Sequence, residues 1–477
     1  MQANLLIDGQ SVETSHYAEL RDPGRFNHVI GTVAQADKAH VDAAVRAAAT
    51  AFAGWSATPY AERAALLLQV ADLLDAMNDE LTPVVVGETG MLPAEIKAEI
   101  AGAAFAVRDN VDAATRFLEP KQWEDSASWV SVEKRAIGVI AAFAPWNAPI
   151  VLMMRKVAPA LACGNTIVVK TPPTAPLGQS MVLSRIAGLF PPGVINVVHG
   201  GNDTGAALVR HAGVRKVSFT GGGKAATAIM CAAADTIKGV QFELGGNDPA
   251  IVLDDADFDA IMPNLVAGAF HRSGQFCFAI KRIYVPQDRL DAFFDRMADE
   301  LGRVRIGHQS DARTNFGPVN NRAQYEYVQT LRDASRAAGA TVVELGEEVD
   351  PEHWADGYYL RPTLVKGLDP KADLVTCEQF GPILPILGYC DEDDVLEMAN
   401  DTEYGLGSSV WSSSFDRAVS FARNIESGMT FINKNAQSRL GRRHMPFGGV
   451  KQSGIGTENS ELGLAEYIEY HGINFHK

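Results

Sequence analysis

Cysteine is scarce in this 477-residue chain: five residues, Cys163, Cys231, Cys277, Cys377 and Cys390, none in a CxxC pair. So few and so unpaired, they exclude a disulfide framework and a zinc cluster, so no metal is expected and a reducing, cytoplasmic setting is. Positive charge is in deficit as well. With 42 basic against 58 acidic residues the net charge is −16, which argues against nucleic acid or an anionic membrane as partner. Long apolar runs are absent with one exception, Ile137 to Met154, and there Pro145, Asn147 and Pro149 break the run into strand, loop and helix. The first residues, Met1-Gln2-Ala3-Asn4, lack a basic segment or a cleavage pattern, so no secretion is expected. There are no internal repeats and no low-complexity tracts.

What is present is material for more than one core. A chain of this length exceeds one ordinary domain, and 47% hydrophobic residues suffice to fill two. Asp37 to Ala53 and Ala61 to Leu81 carry alanine and leucine at helical spacing, within a helical region reaching about residue 119. Apolar strands are then predicted at 137–143, 166–170, 195–199, 216–220 and 240–244. Helices are predicted between them at 149–162, 175–189, 202–211 and 223–236. This alternation predicts a doubly wound parallel sheet. Ligands of such sheets sit at the carboxyl ends of the strands, where Asn147, Lys170, Thr220 and Glu243 fall. The pattern restarts after Gly246, with strand Ala250–Leu253, helix Asp257–Ser273, strand Arg282–Val285 and helix Gln287–Arg303. Two polar, strand-like segments, 121–136 and 462–477, have no core of their own and suggest a small sheet for self-association as a homodimer or homotetramer.

Two short runs carry chemistry. Phe242-Glu243-Leu244-Gly245-Gly246 places a carboxylate at a strand end, and Gly274-Gln275-Phe276-Cys277 places a lone thiol downstream. Together they supply a general base and a nucleophile for covalent chemistry at a carbonyl. A free cysteine is more often an inert core residue, Glu243 alone could be a solvated strand end, and Asn147 alone could be a helix N-cap.

Taken with Pro145-Trp146-Asn147 and Phe447-Gly448-Gly449, these runs resemble the aldehyde dehydrogenase superfamily over nearly the whole chain. The resemblance implies a doubly wound cofactor domain of residues 1–120 and 137–245, a second α/β catalytic domain of residues 246–450, and β segments for oligomerisation. It implies Cys277 as nucleophile, Glu243 as the base that activates the hydrolytic water, and Asn147 with the Cys277 N–H as oxyanion hole. Lys156 and Glu458 match positions of a proton relay, although either equally reads as a surface charge. For the cofactor it implies Trp146, Lys170, Thr220, Gly221, Gly222, Glu378 and Phe380. Two departures stand out. The Phe219-Thr220-Gly221-Gly222 run has Gly222 in place of a serine and Ala226 in place of a later glycine. Pro173 stands where NAD-strict relatives carry a ribose-binding glutamate, so NAD is expected and NADP stays open.

The substrate implied is a small-molecule aldehyde. Phe276 and Phe278 flank the nucleophile, and Arg155 stands where semialdehyde dehydrogenases bind a substrate carboxylate, with His271, beside Arg272, at the second arginine position. Arg439, Arg442, Arg443 and His444 precede the Phe447 run and either face a tunnel mouth or form a solvated loop. An aromatic aldehyde or a carboxylate-bearing semialdehyde both fit. A coenzyme-A-acylating enzyme would generally lack Glu243, and a catalytically silent relative would not need Cys277, Glu243 and Asn147 together.

Overall fold

A computed structural model describes residues 1–477. Its largest sheet has eight strands. Five are parallel, in the order Gly239–Glu243, Val214–Thr220, Val139–Phe143, Thr166–Lys170 and Ile195–Val198. Gly454–Ile455 caps one edge antiparallel, and the hairpin Leu5–Ile7 and Gln10–Val12 caps the other. The central strands are buried along their length, as expected of parallel strands covered on both faces. One covering layer is the long helix pair Tyr60–Thr89 and Pro93–Phe117 with Pro149–Ala162, which shares one apolar cluster with the sheet. The other is Lys38–Ala57 with Asn202–Arg210 and Gly223–Ala234.

A second sheet of seven strands is built from Thr341–Glu344, Thr363–Lys366, Ile383–Tyr389, Ile280–Pro286, Asp248–Val252, Gly407–Trp411 and Met429–Ile432, parallel except at the first edge. Lys121–Glu124, Ser128–Ala136 and Ile468–His476 pair as a separate antiparallel sheet, and the start of the 462–477 segment is helical, within Ser460–Ala465. The fold is α/β, with parallel strands dominating both large sheets.

The strands and helices of residues 137–245 fall within a few residues of their predicted positions. The run Ile137–Met154 divides as its prolines require, with Pro149 at the first turn of its helix. No helix is long and apolar enough to cross a membrane. One expectation fails in an informative place. The helix predicted over Asp257–Ser273 stops at Phe270, because Arg272 and Ser273 take left-handed conformations at φ 53° and 55°. Similarly, Gln287–Arg289 is a 3-10 turn ahead of the helix Leu290–Leu301.

Candidate active site

Register brings the predicted strand-end residues to one edge of the eight-stranded sheet. Phe143 pairs with Lys170, and Thr220 pairs with Glu243, each at the last position of its strand. The Pro145-Trp146-Asn147 loop leaves the same edge before entering its helix. Cys277 comes from the other direction, on the turn that leads into Ile280–Pro286 of the second sheet. The nucleophile candidate and the four residues Asn147, Lys170, Thr220 and Glu243 are therefore carried by different sheets that meet here.

Two cavities open from this junction. One, of about 420 Å³, is lined by Trp146, Lys170, Pro173, Thr220, Gly221, Gly222, Glu243, Glu378 and Phe380. The other, of about 550 Å³, is lined by Val151, Arg155, His271, Phe276, Phe278, Arg442 and Phe447 among others. Asn147 and Cys277 line both. A group bound in either cavity reaches the same thiol.

Glu243 is buried beside the Cys277 thiol, and neither carboxylate oxygen accepts a well-aligned hydrogen bond. Burial, reinforced by the charge of Glu458, pushes its pKa up to about 8. Burial first and the Glu243 charge second push the Cys277 thiol well above its usual range, with Lys281 opposing them. At neutral pH the resting thiol is therefore protonated, beside a carboxylate whose proton affinity is close to the working range. Lys156 and Glu458 are not surface charges. They form an ion pair at 2.9 Å, both wholly buried, and Lys156 also donates to Ser218 Oγ at 3.3 Å.

The smaller cavity suits a dinucleotide. Lys170 is buried, has no carboxylate partner, and its pKa is pushed down to about 8 by burial. Thr220 Oγ1 is buried without a partner. A Cβ added at Gly222 or Gly223 would meet open space, so the backbone N–H groups opening the helix Gly223–Ala234 are free for an anion. Trp146 and Phe380 meet edge to face at 5.6 Å. Glu378 accepts from the Gly246 N–H at 3.1 Å and pairs with Lys281 at 3.4 Å. A side chain at Gly245 would collide with its carboxylate, which explains that glycine.

In the larger cavity Phe276, Phe278 and Phe447 make a chain of edge-to-face contacts at 5.2 and 5.7 Å, with His271 packed on Phe276. The Arg155 guanidinium lies 4.8 Å from the Phe447 ring centre, and its Nε is buried without a partner. His271 is 3.2 Å from Glu95, and burial holds its pKa down. Arg439–His444 forms a short helix rather than a loop, from which Arg442 lines the cavity and Arg443 binds Asp109 and Asp112.

Four residues, Lys281, Arg272, Glu95 and Glu99, escaped the sequence reading as site residues. Lys281 donates to the Cys277 carbonyl at 2.5 Å, and Arg272 contacts both Asn147 and Glu99. A Glu95-x-x-x-Glu99 spacing, one turn apart on a largely apolar helix, was the available signal for this last group.

Comparison with known proteins matches residues 11–473 to the model of the aldehyde dehydrogenase family. The chain is 34% identical over 438 residues to aldehyde dehydrogenase LUC3 of Fusarium sp., covering 92% of this chain and 91% of that protein. Among solved structures, betaine aldehyde dehydrogenase of Staphylococcus aureus in complex with NAD+ superposes with a TM-score of 0.94 at 29% identity, covering 99% of this chain and 94% of that one. An NADP-dependent enzyme of E. coli superposes with a TM-score of 0.94 at 30% identity, covering 100% and 98%. With near-complete coverage by sequence and by fold, the chain belongs to the aldehyde dehydrogenase family.

Proposed function

We propose that this protein oxidises an aldehyde to its carboxylic acid through a covalent intermediate on Cys277, with NAD or NADP as hydride acceptor. The observation that carries this reading is that Asn147 and Cys277 are shared by both cavities.

Glu243, with its proton affinity raised toward neutrality, takes the thiol proton as Cys277 Sγ bonds to the aldehyde carbon. The carbonyl oxygen becomes an oxyanion, held by the Asn147 side-chain amide and the Cys277 backbone N–H. Loss of hydride from this tetrahedral adduct would leave a thioester on Cys277, and the nicotinamide cofactor, when bound, would supply the hydride acceptor. Glu243 passes the thiol proton out by way of Lys156 and Glu458 and, ionised again, removes a proton from water. The hydroxide attacks the thioester, the C–S bond breaks, and the carboxylate leaves as the thiol is restored. Lys156 and Glu458 form the buried route for the proton Glu243 collects.

Lys170, the bare N–H groups at Gly222 and Gly223, and Glu378 would hold the dinucleotide, with Trp146 and Phe380 walling its ring. Pro173 puts no carboxylate where a 2′-phosphate would lie, which supports use of either cofactor.

For the substrate, charge balance in the larger cavity favours an anionic aldehyde. Of its three carboxylates, Glu99 and Asp109 face Arg272 and Arg443 and Glu95 faces His271, whose pKa is held down, while Arg155, Arg442 and Lys434 have no acidic partner. The phenylalanine wall suits an aromatic or similarly flat body.

The test is Cys277→Ser, assayed for NADH or NADPH formation over a panel of aldehydes with and without coenzyme A. Loss of activity with dinucleotide binding intact is expected. Turnover near the wild-type rate would overturn the mechanism, and product formation dependent on coenzyme A would overturn the hydrolytic step.

A further inference from the structure

Arg272 takes no part in the steps above, yet its buried guanidinium touches the loop that carries the oxyanion donor. Nη1 donates to the Asn147 carbonyl at 2.6 Å. The same nitrogen lies 2.7 Å from Glu99 Oε2, a charge contact in which no N–H is aligned on the oxygen. The other oxygen, Glu99 Oε1, accepts from the Ile150 and Val151 N–H groups at 2.7 and 3.3 Å, capping the helix that begins just after Asn147. One turn before Glu99 on its own helix, Pro93–Phe117, Glu95 Oε1 accepts the Arg272 backbone N–H at 2.9 Å.

The Arg272 backbone is itself strained. Two consecutive non-glycine residues in the left-handed region persist only where their surroundings fix them. Here Glu95 holds the Arg272 N–H, Gln275 Nε2 donates to the Arg272 carbonyl at 3.0 Å, and Ser273 Oγ donates to the Gly317 carbonyl at 2.8 Å. Five residues later the same turn delivers Cys277. By contrast, the Asn147 side-chain amide is held by no protein group, so its aim is set by its backbone. That backbone is tied at the carbonyl by Arg272 and, three residues on, at the Ile150 N–H by Glu99.

We infer that Arg272, braced by Glu95 and Glu99, is a positioning residue that holds the Asn147 amide in register with the Cys277 turn. One guanidinium thus links the two loops that must close around the aldehyde carbon, one from each large sheet. Arg272 does not serve as a substrate carboxylate ligand, because Glu99 neutralises it and its Nη1 and Nη2 are turned to the Asn147 and Glu95 carbonyls. The inference rests on the oxyanion role proposed above for Asn147.

The experiment is a double-mutant cycle read by single-turnover hydride transfer in the full-length enzyme. Asn147→Ala is expected to slow this step about 10²–10³-fold, the scale for one oxyanion donor. Arg272→Met is expected to slow it by about 10²-fold, the scale for a misplacement near 1 Å. In the Asn147→Ala background Arg272→Met should cost less than about threefold, since nothing remains to aim. Alkylation of Cys277 by iodoacetamide and dinucleotide affinity should stay within about twofold of the parent. Equal losses in both backgrounds, or a matching fall in alkylation rate, would show a general structural role and overturn the inference. Should Arg272→Met not fold, Glu99→Gln enters the same cycle with the same required non-additivity, because it keeps an acceptor for Ile150 and removes only the charge. A neutral Asn147→Ala would instead remove the oxyanion reading and this inference with it, whereas a damaging Asn147→Ala with additive Arg272 effects removes this inference alone.

Discussion

Lys156 Nζ lies 2.9 Å from Glu458 Oε1, both side chains are out of solvent, and both charges act on Glu243. The carboxylate of Glu458 raises the proton affinity of Glu243, and the ammonium of Lys156 lowers it. Burial remains the largest cause, and Glu378 adds a smaller push upward. A general base works only when ionised, so thioester hydrolysis should accelerate as pH rises through about 8 and then level. Glu458→Gln removes the like charge and should move that limb to lower pH. Lys156→Met removes the opposite charge and should move it to higher pH. The measurement is the rate of the second, post-burst phase across pH. Shifts of the same sign in both variants would contradict the pairwise electrostatics.

Glu243→Gln should separate the two half-reactions. The first hydride transfer can still occur, but water loses its base, at a cost of roughly 10²–10⁴ in hydrolysis rate. Stopped-flow traces should show a burst of reduced cofactor followed by a slow steady state, with acyl-enzyme visible by mass spectrometry. Wild-type steady-state turnover would remove Glu243 from the hydrolytic step.

Much of this site was legible because strand ends are. In an alternating α/β chain the period of the apolar residues locates the strands, and the residues just past them must converge on one edge of the sheet. That logic carried Asn147, Lys170, Thr220 and Glu243 to their places. What stayed hidden depends on contacts between distant segments. The Glu95–Glu99 spacing marks two carboxylates on one helix face, but no local pattern announces that their partner is Arg272, that Arg443 binds Asp109, or that Lys281 reaches back to the Cys277 carbonyl. The helix predicted through Ser273 failed for the same reason. Arg272 and Ser273 have no local cause to turn left-handed, and the conformation is imposed by Glu95, Gly317 and Gln275. Burial of Lys156 and Glu458 was equally invisible, since the two pair across 302 positions of sequence.

The sheet of Lys121–Glu124, Ser128–Ala136 and Ile468–His476 leaves Trp123, Tyr470 and Phe475 more than half exposed. Both outer strands present unpaired edges, the kind of surface that joins a second copy of the chain. The protein should therefore run as a homodimer or homotetramer in light scattering at micromolar concentration. Trp123→Glu combined with Phe475→Glu should shift it toward smaller species. A monomeric parent would refute the assignment.

Arg155 offers the sharpest test of the substrate class. Its guanidinium stands on the Phe447 face with Nε unpartnered, and no acidic side chain in the cavity pairs with it. A half-buried cation without an anion is incompletely solvated, so a substrate carboxylate arriving there gains more than it would in water. Arg155→Met should therefore weaken the transition state for a carboxylate-bearing aldehyde by roughly 2–5 kcal/mol, the scale for losing one partner of a buried charge pair. Oxidation of a neutral aromatic aldehyde of similar size should change little, because it loses only the stacking partner of Phe447. The decisive quantity is the ratio of kcat/KM for the two substrates in the variant against that in the parent. If both substrates suffer equally, Arg155 holds the tunnel wall rather than the substrate, and the charge-balance argument for an anionic aldehyde then rests on Arg442 and Lys434.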